Sequence, residues 1–483
     1  MQFNLKIINR LCVLSFVFIF STCISNKSTN TFSDTSKSVQ NNKPNIIVIL
    51  VDDAGYVDFG FMGSKDLETP NIDSLAHDGV IFTDAHVTAT VCAPSRAGLI
   101  TGKYQQRFGF EANGTGYGNS GDIGLSNDVV TIADVFLKNQ YKTIAIGKWH
   151  LGGQPSDHPN KRGFEEFYGF LAGSRSYFPI VNPSKDVMLQ QNGKKITFDG
   201  YLTDVLGDRS VGFVEENKNH PFFMYLAYNA VHTPMEAKME DLKKYENHPR
   251  KELAAMTYSL DHNVGKLRSK LKELGILENT LIYFLSDNGG AHNNTSSTGP
   301  LKGWKGNKFE GGHRVPFIVS WPAKIKAGRH FDGLTSSLDI FPTSLDAAGL
   351  KKGKDLILDG VNLLPYLVEG KSGNPHGELY WRKLDESAVR IGDYKMIHLK
   401  NYGSTMYNLS KDLGETNDLS FKDKKILSEL NQKLYIWESE LMDPLWREGK
   451  PWEDVTYYIH QQLMENKPVL YKSPSEEKEN IGH

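Results

Sequence analysis

Five short clusters of residues in this chain carry side chains able to do chemistry. Asp52 and Asp53 follow the apolar run Ile46-Ile47-Val48-Ile49-Leu50-Val51, and Asp287 and Asn288 follow the run Leu281 to Leu285. Lys148-Trp149-His150 closes the run Thr143 to Ile146, and His232 stands shortly after Phe222 to Ala227. Three carboxylates and an amide oxygen make a hard-oxygen donor set that suits one Ca2+; Mg2+ fits less readily, because it prefers fewer protein ligands and more water. An isolated Asp pair at a strand end is ordinarily a turn. A second acidic site at the end of another apolar run is what points to a cation. The fifth cluster is Cys92-Ala93-Pro94-Ser95-Arg96-Ala97-Gly98-Leu99-Ile100-Thr101-Gly102. Pro94 suits the first turn of a helix and Gly102 its end. Cys92 then sits at the helix N-terminus, where free N–H groups favour an anion. Taken alone, such a cysteine would be a small buried thiol.

The elements that must position these groups are legible as well. Continuous apolar runs of this kind, with Phe317 to Trp321 as a fifth, predict strands buried on both faces. Helical patterns over Thr131 to Asn139 and Glu252 to Leu274 lie between some of them. Strand–helix alternation predicts an α/β fold, a large, mainly parallel sheet sandwiched by helices. In such sheets ligands bind beyond the carboxyl ends of the strands, which is where the polar clusters fall. After about residue 370 the texture changes. Glu378 to Arg382, Ala388 to Ile391 and Tyr394 to His398 read as short strands, with Gly392-Asp393 as a hairpin turn. A helix from Lys424 to Met442 completes a smaller antiparallel sheet with one helix on it. The expected organisation is a catalytic domain over 44–370, a C-terminal subdomain over 371–465 and a polar tail over 466–483. Gly114 to Gly124 reads as a glycine-rich loop.

Composition narrows the partners. The 483 residues include 55 Lys plus Arg, 57 Asp plus Glu and three cysteines. A formal charge of −2 speaks against a broadly basic nucleic-acid binder, and three cysteines exclude a disulfide scaffold. Lys6 and Arg10 precede the apolar stretch Leu11 to Phe20, the pattern of a secretory signal over residues 1–22. Phe20-Ser21-Thr22-Cys23 resembles a bacterial lipoprotein box, with Cys23 as the lipidation site, although Leu and Gly or Ala are usual in its first and third places. Residues 23–43 read as a polar tether. The expected location is therefore outside the cytoplasm, in the periplasm, free or lipid-anchored at a membrane.

Cys92-x-Pro94-Ser95-Arg96 followed by Leu99-x-Thr101-Gly102 resembles the signature of the formylglycine-dependent (type I) sulfatases. Gly147-Lys148-Trp149-His150-Leu151-Gly152, Asn229 to Pro234, Ser286 to Gly290, Lys302 to Lys305 and Glu310 to Pro316 resemble family segments in the family's order. Gln140, where the family usually has Gly, and Leu413, where many relatives place Pro, depart from the pattern. The resemblance implies an alkaline-phosphatase-like fold and conversion of Cys92 to formylglycine (3-oxoalanine) by a formylglycine-generating or anaerobic maturation enzyme. It implies metal ligation by Asp52, Asp53, Asp287, Asn288 and the modified Cys92. Arg96 and His150 would orient the formylglycine, Lys148, His232 and Lys305 would contact the sulfate, and His232 or Lys305 would protonate the leaving oxygen. His150 would take a proton from the gem-diol so that sulfate is expelled. The expected substrate is a sulfated polysaccharide, with algal ulvan or carrageenan ahead of glycosaminoglycans. Two other readings share the motifs: a phosphodiesterase or phosphonate monoester hydrolase of the same fold, and an inactive glycan-binding surface lipoprotein. Arg175, Tyr177, His292 and His313 are further candidates for contacting a sugar at the pocket mouth.

Overall fold

The strand Asn45–Val51 (β1) is buried along its whole length because it runs down the middle of a ten-stranded sheet. The computed structural model describes residues 43–114 and 124–469. The expected signal, nearly all of the tether, Cys12 and Cys23, most of the glycine-rich loop and the tail beyond Val469 lie outside the described residues. The other strands of the large sheet are Val80–Phe82 (β2), Lys142–Lys148 (β3), Glu166–Phe170 (β4), Gln190–Gln191 (β5), Lys194–Lys195 (β6), Phe222–Ala227 (β7), Thr280–Ser286 (β8), Phe317–Ser320 (β9) and Arg329–Phe331 (β10). Their order is β10-β2-β9-β8-β1-β7-β3-β4-β5-β6. The central strands β8, β1, β7, β3 and β4 are parallel. β9 runs antiparallel to both β8 and β2.

Alternation along β1 builds two cores. Ile46, Val48 and Leu50 face the helices Cys92–Thr101, Ile132–Lys138 and Ile340–Ala347; Ile47, Ile49 and Val51 face Pro70–His77, Leu202–Asn217 and Lys251–Glu273. In chain order these are α1 (Pro70–His77), α2 (Cys92–Thr101), α3 (Ile132–Lys138), α4 (Leu202–Asn217), α5 (Lys251–Glu273) and α6 (Ile340–Ala347). Registers of Leu50 with Ala227 and Leu285, and of Gly147 with Ala227, bring the ends of β1, β3, β7 and β8 level at one edge. Gln140 takes a left-handed φ of 68° in the turn before β3, a conformation that glycine adopts more easily. Among the described residues no helix is long and apolar enough to cross a membrane.

The second sheet has four antiparallel strands, Glu378–Lys383 (β11), Glu386–Ile391 (β12), Tyr394–Leu399 (β13) and Gly403–Asn408 (β14). Two helices cover it, Lys424–Ser439 (α7) and Lys450–Met464 (α8). The sequence pattern predicts only three of these strands and one of the two helices. β14 carries Gly, Ser and Thr in place of an apolar run, whereas α8 did leave a signal, with Val455, Ile459 and Leu463 buried at four-residue spacing. The sheet is joined to the main body by polar bonds. Trp381 Nε1 donates to Val87 O at 2.7 Å, and Arg390 grips Asp84 with two contacts of 2.7 Å. The backbone N–H of Lys308 donates to His460 Nε2 at 3.0 Å, while His460 Nδ1 donates to Thr456 O at 2.8 Å.

His460 is fully buried, and burial next to Lys308 pushes its pKa down from 6.5 to about 3. A depressed histidine stabilises the fold above its unfolded pKa and loses that contribution as pH falls below it. Acidification to about pH 5 is therefore expected to remove about 2 kcal/mol of the docking of α8. Hydrogen exchange across Lys450–Met464, measured against pH, checks this; His460→Gln should flatten the dependence.

Candidate active site

The ends of β1 and β8 are tied together before any side chain is considered. Asp287 N donates to Val51 O at 2.9 Å; Asp52 N donates to Ala230 O at 2.9 Å and Val231 N to Asp52 O at 2.8 Å. Asp53 holds a φ of 61°, a left-handed conformation that Asp tolerates better than most residues. Its carbonyl accepts from Asn294 Nδ2 at 3.1 Å and Ser296 Oγ at 2.8 Å. The result is three carboxylates, Asp52, Asp53 and Asp287, all at most 1% exposed.

Three cations answer them. Arg96, one helical turn after Cys92 on α2, donates through Nε to Asp287 Oδ2 at 2.8 Å and through Nη1 to Lys148 O at 3.0 Å, and its Nη2 forms an ion pair with Asp287 Oδ2 at 2.7 Å. Lys148 Nζ lies 2.6 Å from Asp52 Oδ2. Lys305 Nζ lies 2.7 and 2.9 Å from the two oxygens of Asp53. Cys92 is the first residue of α2, and its Sγ lies 3.6 Å from Asp52 Oδ1. Asn288 Nδ2 donates to Asp53 Oδ1 at 2.8 Å, leaving Asn288 Oδ1 buried without a hydrogen-bond partner.

The electrostatics follow from burial and pairing. Burial pulls the Asp53 pKa up, but Lys305 and His232 outweigh it and hold this carboxyl well below the usual range. Burial and the neighbouring Asp52 push Asp287 up to about 6 against the pull of Arg96. Burial raises the Cys92 thiol to about 12. Burial, with the nearby Lys148 and Arg96 charges, drives His150 well below its ordinary value and so keeps it neutral. His232 is lowered by burial to about 4, with Asp53 opposing. Its Nδ1 donates to Thr233 O at 2.5 Å, and its Nε2 stands 3.6 Å from Asp53 Oδ2. Lys305 is held well above its ordinary value, because Asp53 overcomes the cost of burial.

This donor set fits a divalent cation. Asp52, Asp53, Cys92 and His232 each place one donor atom within 4.8 Å of the others, and the orphaned Asn288 Oδ1 is a buried acceptor that a cation would satisfy. Asp287 stands outside that group of four, its Oδ2 turned to Arg96 and its Oδ1 3.4 Å from Asp53 N. Lys148 and Lys305 hold the carboxylate oxygens that an ion would take.

A cavity of about 390 Å³ opens over Asp53, His232 and Lys305. Of the weaker candidates, only His292 lines it. Arg175 is buried between the Phe170 and Phe198 rings and donates to Ser176 O at 3.0 Å. His313 is buried between His86 Nδ1 at 3.0 Å and Lys395 Nζ at 3.0 Å, stacked on Trp381. Tyr177, also fully buried, supports the site from below. Its hydroxyl lies 2.6 Å from Asn229 O and 2.8 Å from His232 O, so its proton steadies the loop that carries His232. Sequence reasoning misses this support and the cavity wall contributed by α8, because the partners of the Tyr177 hydroxyl and the reach of Trp452 to the cavity have no local sequence pattern.

Residues 44–350 match the Sulfatase family, and residues 303–440 match the C-terminal region of N-sulphoglucosamine sulphohydrolase. The chain belongs to the sulfatase family. This sulfatase is 34% identical to the N-acetylgalactosamine-6-sulfatase of Mus musculus over 73% of its length and 71% of that protein's. It is 31% identical to human steryl-sulfatase, over 68% of this chain and 70% of that one. The structure of Ps i-CgsB, also solved in complex with k-i-k-neocarrahexaose, is 38% identical and superposes with a TM-score of 0.80, covering 88% of this chain and 99% of that one. As a member of the family the protein is a sulfuric ester hydrolase, and the family generally uses a formylglycine and a divalent metal.

Two outcomes are expected from substitution here. Asp287→Ala strands Arg96 in a buried site, and sulfatase assays should show activity lost and not restored by added Ca2+. Tyr177→Phe removes the hydroxyl that bridges Asn229 O and His232 O, leaving Asn229 O only its bond from His232 N, so unfolding titrations should show a loss of about 1–3 kcal/mol, and steady-state kinetics a lower kcat with KM little changed.

Proposed function

We propose that this sulfatase hydrolyses sulfate monoesters on a carrageenan-type polysaccharide or oligosaccharide, using a formylglycine made from Cys92 and one Ca2+ held by Asp52, Asp53, Asp287 and Asn288. The observation that carries the substrate class is the likeness to Ps i-CgsB over 99% of that protein, which has been solved with k-i-k-neocarrahexaose. The raised thiol pKa of Cys92 supports the modification, since a thiol near 12 supplies almost no thiolate at neutral pH. Hydrated formylglycine would instead offer a hydroxyl as nucleophile. The Ca2+, when bound, would lower the pKa of that hydroxyl and neutralise charge on the sulfuryl group.

The chain's own residues do the rest. Arg96, fixed between Asp287 and the Lys148 carbonyl, holds residue 92 in orientation from one turn further along α2. Lys148 and Lys305, released from Asp52 and Asp53, turn their charge to the sulfuryl oxygens and stabilise them as the ester bond breaks. The leaving oxygen takes its proton from Lys305 Nζ, which is protonated in the resting site, rather than from His232, which is neutral there. His232 Nδ1 is committed to Thr233 O, so its Nε2 is the nitrogen that contacts substrate. His150, kept neutral, is the base that accepts a proton when sulfate is expelled.

The same reading places the protein outside the cytoplasm. Residues 1–22 would be removed as a signal, Cys23 would be the lipid attachment point, and a formylglycine-generating or anaerobic maturation enzyme would act on Cys92. The likeness to a phosphonate monoester hydrolase of Agrobacterium radiobacter, 20% identical with a TM-score of 0.62, is one of fold alone. The retained acidic and basic residues favour a working enzyme over a binding module.

Protein produced with a maturation enzyme should release sulfate from carrageenan oligosaccharides, measured by ion chromatography, and Cys92→Ala should release none. The peptide containing residue 92 should be lighter by about 18 Da, as exchange of CH2–SH for CHO requires. Turnover of phosphate diesters alone would overturn the reading.

A further inference from the structure

We propose that the C-terminal helix α8, with Glu448 two residues before it and Lys383 at the end of β11, builds a sugar-ring site over the reaction centre, with Trp452 as the stacking face and the Lys383–Glu448 pair as the hydroxyl-binding edge. The proposal rests on the sulfated-carbohydrate reading above and adds residues outside the catalytic set.

The cavity has a charged floor, where Asp53, His232 and Lys305 lie, and aromatic walls formed by Trp304 and Trp452. A pyranose presents apolar C–H faces ringed by hydroxyl groups. A matching receptor therefore pairs flat aromatic surfaces with a few fixed polar groups at the edge. Trp304 is set by the His292 ring, 5.3 Å away between centroids. Trp452 is different: it remains 43% exposed on a helix whose Val455, Ile459 and Leu463 are all buried. Packing does not account for a tryptophan left open at the cavity; stacking on a ligand does.

The polar edge is built rather than incidental. Lys383 Nζ meets Glu448 at 2.8 Å with both side chains largely buried, and Glu448 Oε1 also accepts from Asn113 N at 3.4 Å. Burying such a pair is costly in desolvation, and here it lines the cavity instead of bridging two apolar surfaces. Together the two groups donate and accept. A ring hydroxyl also does both, whereas a sulfate only accepts. This edge therefore suits free hydroxyl groups and leaves the sulfate to the floor.

The wall is also held in register with the chemistry. His460 of α8 accepts from the backbone of Lys308, three residues after Lys305. Recognition and catalysis thus share one loop anchor.

The test uses full-length protein with residue 92 converted, and compares kcat/KM for a sulfated carrageenan oligosaccharide with kcat/KM for 4-nitrophenyl sulfate. In Trp452→Ala and Glu448→Gln the ratio should fall by at least about tenfold, with circular dichroism unaltered in both and the melting temperature unaltered in Trp452→Ala, whereas Glu448→Gln, which leaves Lys383 without its counter-charge, lowers it. Equal losses on both substrates, or no loss, would overturn the proposal. Calorimetric binding of the same oligosaccharide to Cys92→Ala protein separates this outcome from the sulfatase reading. Weakening of about tenfold or more on adding Trp452→Ala supports the sugar site whether or not turnover is seen; unchanged binding, or none by the parent, overturns it.

Discussion

Three carboxylates buried side by side at the end of a sheet set the conditions for everything around them. Asp52, Asp53 and Asp287 have almost no solvent to screen them, and like charges in a poorly screened site repel strongly. The raised value of Asp287 shows what burial beside Asp52 does even with a guanidinium bonded to it. The fold meets this by delivering one cation from each of three places: Arg96 from a helix, Lys148 from the end of β3, and Lys305 from the loop before Glu310. Each pairing is long-range in sequence. The site therefore exists only when the sheet is complete.

The α2 segment shows how local rules serve that balance. Cys92 and Arg96 are four residues apart, so they lie on the same face of the helix, the thiol at Asp52 and the guanidinium at Asp287. All ten residues of the helix are buried. Such a helix has no amphipathic stripe, and what holds it is placement against the sheet.

Much of this is legible in the sequence alone. Continuous apolar runs ending in Asp, Lys or Asn point to buried parallel strands and to the edge where a ligand binds, and α2 follows from its Pro and Gly. What stayed hidden depends on distant partners. Tyr177 looks like any tyrosine until its hydroxyl is found between two carbonyls of the His232 loop. His313 has the chemistry of a site residue, yet the second sheet buries it under Trp381 and beside Lys395. Helix α8 carried a helical period in Val455, Ile459 and Leu463, but only the fold shows that its Trp452 reaches the cavity above Lys305.

The burial of Cys92 has a consequence in time. The residue is 1% exposed, inside a helix that is itself enclosed, so an enzyme that modified it would have to grip the segment while it is still extended. Once the sheet has closed, only an opening of the surrounding structure would return it. Conversion to formylglycine, as proposed, would therefore compete with folding for the same nascent chain. The active fraction of a preparation would then record which process was faster, and thiol-bearing protein that folded first would stay as it is, however much modifying enzyme were added afterwards.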